Sequence, residues 1–338
     1  MTTNFFSAVL QYFNAWLLML STLAAAVAAE KIYLFAAAMT ERRLSGREPM
    51  IRSLRSFFRT EITLPQGARL NFALYCPALA FAALMTICAS IPFCTYIPII
   101  DNGADIIQII QFMLLSELFI LLSLCSLRTA GAAEAARAEI RNVIRLLVPL
   151  VSCCAALAAF LMLSGLDGDP FSLNSFSIAG QMTSMSLWGF SGIFLFVFAI
   201  LSQTPRRDIF SGTLLLRAGE IPEFNGVPRG MVQIWSVFRS FIVVAVVTYV
   251  IFPSNLIAGF NSALGISWRG QALNFLIFWS AVVAMRLFAV PFCWMTIAAA
   301  ERLLPRPLRG SLLYVITFIA LLLLWYEGIL FSQEAAAF

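Results

Sequence analysis

Residues 106–127 read IIQIIQFMLLSELFILLSLCSL, residues 128–145 RTAGAAEAARAEIRNVIR, and residues 146–163 LLVPLVSCCAALAAFLML. The outer two stretches are apolar and long enough, at about 1.5 Å per residue, to cross ~30 Å of hydrocarbon. The middle stretch is the only one of the three with basic residues: Arg128, Arg137, Arg141 and Arg145. Inside lipid every backbone N–H and C=O must be bonded within its own segment, so the apolar stretches are expected to be helices. Basic connections of this kind alternate with base-poor ones along the chain.

Working outward, further runs cover about Phe5 to Ala29 (continuing toward Met39), Phe72 to Phe93 and Met182 to Leu201. Others cover Val232 to Phe252, Leu273 to Ala300 and Leu312 to Leu330. The run from Leu273 contains Pro291, where a kink is expected. With the two quoted runs this makes about eight transmembrane helices. The connections alternate in charge. Arg42, Arg43, Arg47, Arg52, Arg55, Arg59 and Arg69 follow the first run, whereas the next connection has only Asp101 and Asp105. After the basic 128–145 stretch, the loop from Ser164 to Gln181 has Asp167 and Asp169 and no base. Arg206, Arg207, Arg217 and Arg229 precede the sixth run, a single Arg269 the seventh, and Arg302, Arg306 and Arg309 the eighth. The C-terminal tail carries only Glu327 and Glu334. By the positive-inside rule, four loops face the cytoplasm and both termini face outside. A cleaved signal peptide is the rival reading of the N-terminus, because Ala24 to Ala29 are small. The region before the run has no Lys or Arg, however, and the run is too long for one. No internal repeat or low-complexity linker is evident, so residues 1–338 parse as one membrane domain.

Composition agrees. Hydrophobic residues make up 61% of the chain and charged residues 12%, against about 25% charged in soluble domains. A membrane barrel would show alternating strands of about ten residues, and none is evident. The net charge of +5 is carried by Arg clusters between apolar runs, with none of the aromatic–basic interleaving of a nucleic-acid groove. The seven cysteines (Cys76, Cys88, Cys94, Cys125, Cys153, Cys154, Cys293) lie in or beside apolar runs and form no CxxC or Cys/His set. With no His, haem, zinc and His-based acid–base chemistry are not expected.

Four features stand out. Met50 to Phe58 reads as a flat amphipathic helix, with Ile51, Leu54, Phe57 and Phe58 on one face and Arg52, Arg55 and Arg59 on the other. Such a helix lies at the headgroups and either anchors topology or docks a partner. Residues 203–230, QTPRRDIFSGTLLLRAGEIPEFNGVPRG, form a long cytoplasmic loop with Asp208, Glu220 and Glu223 among four Arg. Loops of this length usually carry structure or a binding role. Glu30, Lys31, Glu117, Arg239 and Arg286 fall in or near the hydrocarbon, where an ionisable group is a functional candidate by default. For Glu30 and Lys31 the interfacial reading prevails, and Arg239 is placed where it can snorkel to the cytoplasm. Glu117 and Arg286, nearer mid-run, suit a polar pathway or a structural ion pair. Finally, Glu134, Arg137 and Arg141 are spaced for pairing on one helical face, as on a solvated helix.

Taken together, these features resemble the membrane subunit shared by respiratory complex I (subunit 1, or H in bacteria) and the group 4 membrane-bound NiFe hydrogenases, including formate hydrogenlyase. The resemblance covers most of the chain. Glu30-Lys31 is similar to the family's Glu-Arg-Lys near the end of helix one, and Gly46-Arg47-Glu48-Pro49 to its Gly-Arg-x-Gly-Pro. In the long loop, Pro205 and Asp208 resemble its Pro-Phe-Asp. Ala218-Gly219 and Glu223-Phe224-Asn225-Gly226 resemble its Ala-Gly and Glu-Tyr-Ser-Gly. Arg239 falls where the hydrogenase branch carries a base. The chain departs from the family at three places. Phe210 to Arg217 hold no acid where the family has several glutamates, Ser53 and Ser56 replace an Asp and a Lys, and Val148 replaces an acid before Pro. These departures fit the hydrogenase-like branch better than complex I.

The resemblance implies a non-catalytic subunit of a bacterial or archaeal cytoplasmic membrane complex, one that binds no cofactor or metal of its own. Its partners would be soluble iron–sulfur and hydrogenase-like subunits, which hold the iron–sulfur clusters and any NiFe centre, together with antiporter-like membrane subunits and membrane lipid. Glu30, Glu117, Arg239 and Arg286 are the ion-pathway candidates. Arg52, Arg55, Arg59, Asp208, Glu220 and Glu223 are the docking candidates. The competing reading is a secondary transporter acting alone, motivated by the mid-run charges. A lipid-modifying enzyme would need an acid, His or nucleophile set at one membrane face, and the sequence has none.

Overall fold

A computed structural model describes residues 24, 59, 61–62, 64–90, 105–165, 169–203, 226–251, 268–305 and 311–337. The protein is an all-α polytopic membrane protein. Its helices are α1 Leu70–Ser90, α2 Ile106–Ser126, α3 Ala130–Leu163, α4 Leu173–Thr183, α5 Leu187–Gln203, α6 Val227–Ile251 and α7 Trp268–Ala284. A π-helical turn, Met285–Ala289, leads into α8 Val290–Leu303, and α9 is Leu312–Ala337. Among the described residues, α1, α2, α3, α6 and α9 are long and apolar enough to cross a membrane, and α5 is a shorter apolar helix. Seven of the eight expected runs therefore contain helix; the first apart from residue 24, which is helical, and the flat helix at 50–58 lie outside the described residues.

Three expectations change in detail. The fifth run was read as continuous from Met182, but a turn at Ser184–Ser186 divides α4 from α5. Serine hydroxyls satisfy the backbone there: Ser184 Oγ donates to Gln181 O (2.7 Å), and Ser186 Oγ accepts from Gly189 N (2.9 Å) and caps α5. Helix α4 also occupies the second half of what the sequence suggested was an outer loop, Ser164 to Gln181. In the seventh run the disturbance lies just before Pro291. The proline has no N–H for the carbonyl one turn back, and the helix there widens into the five-residue π turn. The eighth helix continues to Ala337, so Glu327 and Glu334 belong to it rather than to a tail.

The chain forms two compact units. The first comprises residues 1–89, 110–144 and 205–242, and the second residues 90–109, 145–204 and 243–338. In the first, the buried stripe Ala73, Cys76, Ala80, Leu84 and Ile87 of α1 has helical spacing. Phe81 meets Phe238 of α6 with ring centroids 5.4 Å apart. Arg69 N donates to Ser126 O (3.1 Å), joining the start of α1 to the end of α2. Gly226, at φ +80°, lies so close to Glu61 and Ile62 that a Cβ would sit 3.1 Å from Glu61 O and Ile62 Cα. The stretch before α1, the turn after α2 and the residue before α6 thus meet at one end of this unit.

In the second unit α5 packs against α9 at close range. A Cβ on Gly192 would come within 2.8 Å of Leu324, and Trp188 meets Tyr326 edge-on. Ala199, Ile297 and Leu313 form a core where α5, α8 and α9 converge. Phe160 of α3 stacks obliquely on Phe331 (5.6 Å), and Gly180 of α4 lies against Val250 O of α6.

Candidate functional site

In the first unit three helices bring charge inward at matched depth. Glu117 lies nine residues before the end of α2, Glu139 nine after the start of α3, and Arg239 twelve after the start of α6. At about 1.5 Å per residue these are depths of roughly 14, 14 and 18 Å from helix ends that share one side. Each residue sits on a buried stripe: Met113, Ser116, Glu117, Ile120 and Leu124 of α2; Ala132, Ala136 and Glu139 of α3; and Val232, Trp235, Ser236 and Arg239 of α6. Glu117, Glu139 and Arg239 are 4%, 2% and 2% exposed.

The guanidinium of Arg239 joins the two acids. Its Nε pairs with Glu117 Oε1, and its Nη1 donates to Glu139 Oε1 at 3.3 Å. The planar fork of Arg suits such bridging, and the group stays charged in proteins. Trp235, one helical turn earlier, places its ring 5.4 Å from the guanidinium carbon, a cation–π contact. The indole is held in turn, as Trp235 Nε1 donates to Ser116 Oγ at 3.4 Å. Asn142 Nδ2 donates to Glu139 Oε2 at 3.5 Å. Among the described residues one guanidinium thus serves two carboxylates, so with both acids ionised these three side chains carry one net negative charge. A single proton, or one further cation, would make them neutral.

The cluster unites two of the residues singled out from sequence, Glu117 and Arg239. Arg239 does not snorkel: it is buried, and the ring of Trp235 and both acids fix its head. Glu139 was missed. Its neighbours Glu134, Arg137 and Arg141 are exposed and form the solvated face expected of this segment, and the charge of that face hid the acid on the opposite side. Arg286 is 6% exposed and belongs to the second unit, on the π turn. It shares a buried stripe with Trp279, Val282, Val290 and Cys293. Arg59 is exposed and helical. Glu30, Arg52, Arg55, Asp208, Glu220 and Glu223 lie outside the described residues. Among the described residues, no three His, Cys, Asp or Glu side chains are grouped to hold a metal ion, and Cys76, Cys125, Cys153, Cys154 and Cys293 are free.

No protein-family model matches the chain, and no curated protein matches it. Among solved structures it is similar to a chain of the membrane-bound sulfane sulfur reductase, described as an archaeal respiratory membrane complex. The TM-score is 0.62 at 16% identity, covering 93% of this chain and 99% of that one. At that identity the likeness is one of fold: almost the whole chain shares the architecture of a chain from a respiratory membrane complex.

Proposed function

We propose that the chain is the membrane-anchor subunit of an energy-converting oxidoreductase of the complex I-like and group 4 hydrogenase-like kind. In this reading it docks soluble iron–sulfur subunits at its basic end and couples them to ion translocation. The observation that carries the proposal is the buried Arg239–Glu117–Glu139 cluster, set in a fold that matches a respiratory-complex chain over nearly its full length. Isolated buried charges are costly in a bilayer, and a two-acid, one-base cluster has two ways to pair. Protonation of one acid leaves Arg239 to the other, so a proton arriving at the cluster redistributes charge between α2 and α3. That is a means of passing an electrostatic signal without a redox group. Glu30 and Arg286 remain candidates for the wider ion path. The iron–sulfur clusters, and a NiFe centre where the complex has one, would reside in partner subunits, and antiporter-like subunits would adjoin it in the membrane.

The test is purification of the tagged chain from its native membrane in mild detergent, followed by mass spectrometry. Iron–sulfur and hydrogenase-type proteins should co-purify in fixed ratio; their absence rejects the proposal. A stand-alone secondary transporter is the second reading. It is favoured by the interruption between α4 and α5, since broken helices often line transporter sites. Solute or ion flux in liposomes containing this chain alone would favour that reading.

A further inference from the structure

The junction between α1 and α2 carries two arginines that form no ion pair among the described residues. Arg69 precedes α1 and its N–H bonds Ser126 O, while Arg128 follows two residues after Ser126. Both side chains are exposed. The exposed acids nearest in sequence are Glu61 and Glu134, and among the described residues neither arginine forms an ion pair. Arg128 has φ +56° and is the one non-glycine with positive φ among the described residues. L-residues are disfavoured there and glycine is not, so local folding alone favours glycine at this position. Helix dipoles do not account for the charge either. A cation just past the end of α2 is favourable, but the same cation stands two residues before the start of α3, where it is unfavourable.

The two helices that meet at this junction carry exposed apolar side chains. Tyr75 (65% exposed) and Leu79 of α1, and Leu118 and Leu122 of α2, are exposed on membrane-spanning helices. Tyr75 is close to the helix start, where an amphipathic ring suits the headgroup level. We infer that this junction is a binding site for an anionic phospholipid in the leaflet on the basic side. Arg69 and Arg128 take the phosphate and negative headgroup, and the acyl chains lie beside Tyr75, Leu79, Leu118 and Leu122. Charge complementarity and continuity with lipid-facing helix surface favour a lipid over an acidic protein, which would meet the arginines but leave the apolar residues uncovered. The inference does not depend on the oxidoreductase reading.

The test uses the full chain in mild detergent, mixed with equal amounts of phosphatidylglycerol and phosphatidylcholine of matched acyl chains. Lipid retained after washing is quantified by mass spectrometry. Two arginines near one headgroup should enrich phosphatidylglycerol roughly tenfold over the level retained by R69Q/R128G. R128G alone, which relieves the backbone and keeps the fold, should lower the enrichment roughly threefold. Equal retention of the two lipids by the unaltered chain, or unchanged enrichment in both variants, overturns the site. So does a photo-crosslinker at Tyr75 that captures protein instead of lipid in native membranes.

Discussion

Arg239 faces Glu117 and Glu139 from the middle of a buried stripe, and the two-to-one ratio of acids to base ranks the substitutions that disturb it. Arg239→Gln leaves two buried carboxylates without their cation and should lower stability by about 3–5 kcal/mol, the range for removing one partner of a buried pair. Glu117→Gln or Glu139→Gln leaves one acid and one base, a neutral pair, and should cost about 1–2 kcal/mol. Thermal or denaturant unfolding in detergent gives the order directly, and an R239Q protein as stable as E139Q would contradict the geometry. Glu117 and Arg239 were legible in the sequence because each interrupts an apolar run. Glu139 was not, since its segment is rich in charge. The signal was the spacing Ala132, Ala136, Glu139, Leu146, which puts the acid on the small and apolar face of the helix. Which acid meets which base depends on how three helices pack, and no periodicity within one helix carries that information.

Helices α4 and α5 show what a hydropathy run conceals. The run from Met182 is apolar throughout, yet the chain turns at Ser184–Ser186 because serine side chains replace the helical backbone bonds. Glycine fixes the geometry. A Cβ on Gly189 would lie 2.1 Å from Thr183 O, a backbone atom that cannot yield, whereas on Gly192 it would meet the Leu324 side chain at 2.8 Å. Gly189→Ala should therefore be the more damaging, with loss of folded protein in size-exclusion profiles. Gly192→Ala should cost about 1–3 kcal/mol as Leu324 repacks. The same reasoning applies to Gly226, which combines φ +80° with contact at Glu61 and Ile62. Gly226→Ala should cost about 1–2 kcal/mol for the backbone alone and loosen the exit of the long loop from the stretch before α1. Increased protease cleavage in residues 204–225 would report it. The π turn is the other feature that sequence only half revealed. Pro291 marked a disturbance, but a widened helical turn carrying Arg286 is a choice made by packing.

At the scale of the whole molecule, the alternation of basic and base-poor connections was the strongest signal in the sequence, because it depends on every loop at once. The structure carries its consequence within the first unit, where the chain near Arg69, the turn at Arg128 and the residue before α6 meet at one end. Helix α3, with 34 residues, is about 51 Å long against ~30 Å of hydrocarbon. It can therefore span the lipid and still extend past it on the side of Arg128. Membrane-impermeant cysteine labelling in intact and opened cells, with Cys125 and the other reactive native thiols replaced, tests this arrangement. Gln66→Cys and Gly131→Cys should react from the same side, and Asp169→Cys, beyond the far end of α3, from the other. If Gln66 and Gly131 were on opposite sides, α1 and α2 would not form the pair seen at Arg69 and Ser126. The acids and base of the central cluster would then enter the membrane from different faces. Their matched depths of roughly 14–18 Å, which follow from counting residues along three helices, would be left without a cause.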